Sequence, residues 1–257
     1  MRRDGLSVWR LVALIGAVVV VAACGDNTTS SSPATTVDPR SPTQVAADKA
    51  TADAAVLKLA DLPSGWTAQP NSDDSSSSAE QRSAEAEFAD CAGVDPSVIG
   101  AGRSSPTRAK SDQFSDSGNH QVESSATVVA TREGAKDQLT SVRKPTVPAC
   151  LAKFVNRAIR SSIENPKPGQ PPPTNVTFGD AKVENLDLPG LHATSVGYRA
   201  TVPVHAGDRE LDVNLDIVLA LNGRTGISMT FTSFGGPFAA DAEIGLTNAV
   251  IDRTPPA

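Results

Sequence analysis

The sequence predicts an α+β fold, a single domain built on an antiparallel β-sheet meander with helices packed on one face, preceded by a signal peptide and a disordered tether. Three patterns carry that expectation. In the C-terminal third, Val196, Tyr198, Ala200, Val202 and Val204 alternate with Ser195, Gly197, Arg199 and Thr201. The same period of two recurs in Leu211, Val213, Leu215, Ile217, Leu219 and Leu221, as a half-buried strand requires. Farther upstream, Cys150/Leu151, Phe154/Val155 and Ala158/Ile159 repeat at four-residue steps, with Lys153, Arg157 and Arg160 on the opposite side. That spacing predicts an amphipathic helix from about Val147 to Glu164.

Taken in chain order, the N-terminus comes first. Arg2, Arg3 and Arg10 precede an apolar run over residues 11–23, which ends in Val21-Ala22-Ala23 and then Cys24. A basic segment, a short apolar core and small residues before a cut make a secretory signal peptide over residues 1–23. Thirteen apolar residues fall short of the roughly 20 that a spanning helix needs. Cysteine directly after Val-Ala-Ala resembles the bacterial lipobox. That resemblance implies lipid, palmitate among its acyl chains, attached to the Cys24 thiol, with the chain then cut before Cys24. Residues 24–52 are then the lipidated cysteine and a Ser/Thr/Ala/Pro-rich stretch with almost no large apolar side chains, which reads as a disordered tether. As a flexible coil it reaches about 30 Å.

The folded domain is expected over residues 53–257. Ser77 and Glu80 have capping-box spacing, predicting a short helix over residues 79–90. Val122, Ala126, Val128 and Ala130 alternate with polar neighbours as a strand. Ser75 to Ser78 and the proline-rich run around Pro171 mark polar breaks. After the long alternating strand, Asn222-Gly223 predicts a type I′ hairpin turn. Ile227, Met229 and Phe231 return along the next strand, and Gly235-Gly236-Pro237 opens a last helix carrying Phe238, Ala242, Leu246 and Val250.

Charge and cysteine count narrow the setting. Cutting after residue 23 removes Arg2, Arg3, Arg10 and Asp4, so 23 basic and 29 acidic residues become 20 and 28, a net charge near −8. An acidic balance argues against a nucleic-acid partner and against a polybasic membrane patch. Attachment to the membrane is therefore expected through the lipid alone. With Cys24 lipidated, Cys91 and Cys150 remain as an even pair in an oxidising compartment. A bridge would close a loop of about 60 residues, worth roughly 4 kcal/mol in the chain-entropy account; two separate buried thiols are the alternative. Neither belongs to a C-x-x-C pair, so no metal and no redox cofactor is expected.

Candidate chemistry is sparse. His120, His192 and His205 lack metal-site spacing and sit near turns. Ser141-Val142-Arg143-Lys144 matches S-x-x-K, but it ends a predicted helix before Pro145 and no K-T-G follows. Asp212, Asn214 and Asp216 match the first half of a calcium loop, yet Ile217 stands where glycine is required, so a solvated strand face is expected instead. Ser233-Phe234-Gly235-Gly236 at a strand end could offer backbone N–H groups to an anion, although a tight turn is the simpler reading. An apolar ligand pocket, if one exists, is expected beneath Phe231, Phe234 and Phe238.

Together, Val21-Ala22-Ala23-Cys24, the polar tether, the segment Leu59-Ala60-Asp61-Leu62-Pro63-Ser64-Gly65-Trp66, and the pair Cys91-Ala92-Gly93 and Ala149-Cys150-Leu151 resemble actinobacterial, mycobacterial-type cell-envelope lipoproteins. More remotely the arrangement is similar to extracytoplasmic sensor domains of mycobacterial Ser/Thr kinases and to Mog1/PsbP-like lipoproteins. The resemblance implies a helix-backed antiparallel sheet and a binding or sensing role without catalytic residues. The expected function is a lipid-anchored, non-catalytic module on the extracytoplasmic face of the cell membrane, with an envelope lipid, a glycan or a protein as ligand. A cell-envelope hydrolase with an unrecognised serine or carboxylate site is the rival, and a structural subunit of a membrane complex is a third reading.

Overall fold

The computed structural model describes residues 40–71, 79–94, 107–164 and 176–255, with side chains left out at 79–82 and 161–164. Cys24, the signal peptide, the Ser75 to Ser78 break, the Ser77/Glu80 cap and the proline-rich loop lie outside what is described. In chain order the elements are α1 (Pro42–Ala54), a 3-10 turn (Leu59–Asp61), β1 (Thr67–Gln69), α2 (Ala79–Ala92), β2 (Arg108–Lys110), β3 (Gln113–Ser115) and β4 (His120–Val128). They continue with α3 (Arg132–Val142), α4 (Val147–Glu164), β5 (Val176–Phe178), β6 (Lys182–Leu186), β7 (Thr194–Ala206), β8 (Arg209–Asn222), β9 (Thr225–Phe234) and α5 (Ala240–Ile251).

All nine described strands join one antiparallel sheet in the order β1-β3-β4-β9-β8-β7-β5, with β2 also paired to β4 and β6 to β7. The α+β class and the β7–β8–β9 meander therefore hold. The hairpin turn is shifted by one residue from the expectation. Asn222 pairs with Thr225, which leaves Gly223-Arg224 as the two-residue loop. Only Gly223 has positive φ, 60°, the pattern of a type II′ turn rather than I′. Gly197 answers a different need: a Cβ there would meet the Leu186 carbonyl of β6 at 2.7 Å.

Helices cover both faces of the sheet rather than one. Val213, Leu215 and Ile217 of β8 point into a core with Ala89 and Ala92 of α2 and Leu151, Phe154, Val155 and Ile159 of α4. Val218 and Ala220, of opposite parity, point into a second core with Leu246, Val250 and Ile251 of α5. The expected α4 stripe is the buried one, and Lys153, Arg157 and Arg160 are exposed. Cys91 and Cys150 are bonded, with Cα atoms 5.7 Å apart, so the bridge ties α2 to α4. Phe88 and Phe154 meet edge to face beside it, and Arg157 pairs with Glu87.

The largest correction concerns residues 42–52, which form most of α1 and belong to the domain rather than to the tether. Ser41 caps the helix by accepting from the Gln44 N–H, and Pro42 follows at its start. The inward side chains, Ala52, Ala55 and Val56, are small and meet Ala109, Ala126 and Val128. At about 0.8 kcal/mol per buried methyl-sized group, that contact holds a helix weakly. A buried ion cluster supplies what the alanines lack. Asp48 Oδ2 accepts from Arg40 and from Arg224, both at 3.0 Å, and Oδ1 takes a second Arg224 N–H at 2.5 Å. Arg40 also donates to the Val128 carbonyl, and Arg224 to that of Val129. The Arg224 bonds hold the Asp48 carboxyl below its ordinary value, outweighing burial with help from Arg40. Sequence periodicity missed α1 because its inward face combines alanines with an aspartate.

Asp48→Ala should take this carboxylate away from the buried Arg40 and the half-buried Arg224 and lower stability by roughly 2–4 kcal/mol. Urea denaturation checks this, and proteolysis near residues 40–55 should quicken while the β7–β9 core stays protected.

Candidate functional site

The most unusual chemistry in the described residues lies between α5 and the sheet. Register puts Arg199 of β7 opposite Asp216 of β8, and the guanidinium grips that carboxylate with two hydrogen bonds, Nε to Oδ1 at 2.7 Å and Nη2 to Oδ2 at 2.6 Å. Asp216 is 1 % exposed, not on a solvated face as the alternation suggested. Above the pair, Glu243 of α5 is fully enclosed and its Oε1 lies 3.6 Å from Arg199 Nη2. Neither Glu243 oxygen has a hydrogen-bond partner, and the enclosed Thr247 hydroxyl one turn on has none either.

Electrostatics follows from this geometry. Burial disfavours the charged form of Glu243, the neighbouring Asp216 carboxylate adds to that, and Arg199 only partly offsets both; the carboxyl is pushed up to about 9. At neutral pH Glu243 is therefore a neutral acid beside the Arg199–Asp216 pair. The helical pattern could have revealed it. Glu243 stands three and seven residues before Leu246 and Val250, on the inward stripe, whereas Ala242, expected to be inward, is exposed. The Arg199–Asp216 contact needed the register and could not be read from either strand alone.

At the outer end of the same face, the Ser233 turn meets the aromatic group. Phe231 and Phe238 are buried with ring centroids 5.1 Å apart; Trp66 and His120 pack on Phe238 at 6.4 and 5.0 Å. These rings fill the position where an apolar pocket was expected, so they read as core. The Gly235 N–H is not free for an anion, because it donates to the Asp212 carbonyl at 2.8 Å. His120 Nδ1 lies 2.8 Å from Asp116 Oδ2, while Asp116 Oδ1 accepts from the Gly118 and His120 N–H groups. Burial pushes the Asp116 carboxyl up, but those His120 and Gly118 bonds prevail and lower it. Ser233 is the direct cross-strand partner of His120. Its hydroxyl is buried and has no hydrogen-bond partner, so no base activates it here.

The remaining candidates do not assemble. Lys144 donates to the Gly93 carbonyl and Arg143 to that of Ser195 at 2.7 Å, which draws the S-x-x-K lysine into a loop contact. Asn214 is buried and accepts from Thr201 at 3.0 Å, while Asp216 is committed to Arg199; the half-calcium pattern is thus divided among strand contacts. Among the described residues no group of three His, Cys, Asp or Glu could hold a metal. His192 and His205 are exposed, beside Asp252 and Glu210. On the other sheet face, burial raises the Glu123 carboxyl to about 7, partly opposed by Lys110 and Arg108.

No known protein family and no curated protein sequence matches the chain. Among solved structures it is similar to the extracellular domain of PknH from Mycobacterium tuberculosis, at 10% identity and a TM-score of 0.29. That likeness covers 55% of this chain and 61% of the PknH chain, too slight to carry an argument about fold or function. No described helix is long and apolar enough to cross a membrane.

A buried acid whose folded value lies above its unfolded one of about 4.5 retains a proton that the unfolded chain releases, so stability is fully present below pH 4.5 and falls as pH rises toward 9. Glu243→Gln should therefore raise stability at pH 7, by up to about 3 kcal/mol. Thermal melts across pH 5 to 9 should show a flatter profile for the variant than for the parent.

Proposed function

We propose that the chain is a lipid-anchored lipoprotein of the cell envelope, of actinobacterial, mycobacterial type. Its domain works on the extracytoplasmic face of the cell membrane as a non-catalytic binding or sensing module for an envelope lipid, a glycan or another protein. The Cys91–Cys150 bridge is the observation that carries this reading. It suits an oxidising compartment and leaves Cys24, of the three cysteines, as the free one directly behind Val21-Ala22-Ala23. The non-catalytic part is supported by where the most perturbed carboxyl lies: Glu243, with Asp216 beside it, is sealed beneath a helix.

A second reading rests on Asp116 and His120, an acid and a base in contact with each other, and on Ser233, which stands opposite His120 in the strand register. A hydrolase would need the buried Ser233 hydroxyl to be opened to substrate and brought onto His120 Nε2.

Cys24→Ala should release a folded chain from the membrane into the medium, checked by fractionation; a variant that stays membrane-bound would sink the anchoring. Native mass spectrometry of the released chain should show a co-purified ligand. Covalent labelling of Ser233 by a fluorophosphonate would replace the binding reading with the hydrolase.

A further inference from the structure

We propose that Glu243 is a titratable latch: its neutral carboxyl seats the first turns of α5 on the sheet, and its ionisation lifts residues 236–246 away. Three features of this segment point the same way, and none depends on membrane attachment.

The two ends of α5 are held very differently. Its C-terminal end is fastened by several contacts. Asn248 accepts from the His192 N–H and donates to the Gly190 carbonyl, Arg253 pairs with Asp61 at 2.6 Å, and the adjoining Thr254 hydroxyl accepts from Asn222 at 2.7 Å. Val250 and Ile251 are fully buried beside them. At the N-terminal end, Ala239 occupies the cap position and offers no side-chain bond to the free N–H groups of the first turn. In the linker before it, Gly235 is held by its N–H bond to the Asp212 carbonyl, and at neither Gly235 nor Gly236 would a Cβ meet anything within 4 Å.

Between these ends, the polar group that α5 places against Arg199 and Asp216 is Glu243, and its two oxygens make no hydrogen bond in their present setting. Neutral, it can donate its proton to the Asp216 carboxylate, and enclosure costs little. Ionised, it becomes a second carboxylate facing the first in an enclosed site, with one guanidinium shared between them. Removing an uncompensated charge from such a site is a strong force for opening.

Few other groups bear on it. Arg199 faces it from β7 and Asp216 from β8; β9 carries no charged residue. Glu184 on β6, exposed and opposite Arg199, acts through that arginine. Asp241 on α5 itself is exposed, and the charged partner of His120, which packs on Phe238, is Asp116. Phe238 supplies the opposing force, since lifting the segment draws its ring from between Trp66, His120 and Phe231.

That contact provides the readout. Trp9 and Trp66 are the tryptophans of the chain, so Trp9→Phe in the full chain, purified in detergent, leaves Trp66 to report on Phe238. Its emission should shift to the red with a midpoint near pH 9 while the far-ultraviolet signal of the sheet is retained, and adding Glu243→Gln should flatten the response. A Trp66 emission constant from pH 6 to 10.5, or the same transition with Gln at 243, overturns the latch. Should the Gln variant fail to fold, carbon-13 NMR of the Glu243 carboxyl in the otherwise native chain decides. Titration well above pH 7 together with loss of amide protection over residues 240–246 is expected; titration in the ordinary carboxylate range, or unchanged protection, overturns it.

Discussion

The constraint on which the rest of the structure depends is the burial of β8 on both faces. Its neighbours β7 and β9 pair along nearly its whole length, so its backbone groups are satisfied and its side chains must be matched above and below. One face is apolar and asks only for shape, which α2 and α4 supply. The other is apolar at Val218 and Ala220 but carries Asn214 and Asp216 farther along the strand. A buried carboxylate must be neutralised or paired, and Arg199 across the ladder meets that demand. The position of α5, and the condition of Glu243, follow from covering a charged pair with a helix.

A second ion cluster plays a comparable part at the edge of the domain. Asp48 joins α1 to the ends of β4 and of the β8–β9 hairpin through two arginines far apart in sequence. There the apolar contribution is small and the geometry of three charged side chains sets where the helix rests. The disulfide does related work on the opposite face, fixing α2 to α4 beside Phe88 and Phe154. The helices α1, α2, α4 and α5 thus carry specific polar or covalent connections in addition to their packing, which makes their placement unique rather than merely favourable.

Several elements were legible in the amino-acid order. The α4 helix and the β7 to β9 meander show their periods plainly, because each has one continuous apolar stripe. The pairing of Cys91 with Cys150 followed from counting once Cys24 was set aside. Other features were hidden for identifiable reasons. Helix α1 has no apolar stripe to detect, only alanines around a buried aspartate. The polar set of β8 looked solvated because alternation shows which residues share a face and cannot show what covers that face. The S-x-x-K, half-calcium and glycine-turn patterns have the right letters, but their lysine, carboxylate and N–H groups are occupied by strand and loop contacts.

By itself the sequence determined the periods of the strands and of α4 and the acidic balance, because these depend on residue types at short range. Tertiary structure alone decided that the sheet is covered twice, that α1 belongs to the domain, and that Arg199, Asp216 and Glu243 meet. Those outcomes depend on strand register and helix placement between residues dozens of positions apart. The charge state of a carboxyl such as Glu243 is set by that assembled environment, not by the identity of its neighbours in the chain.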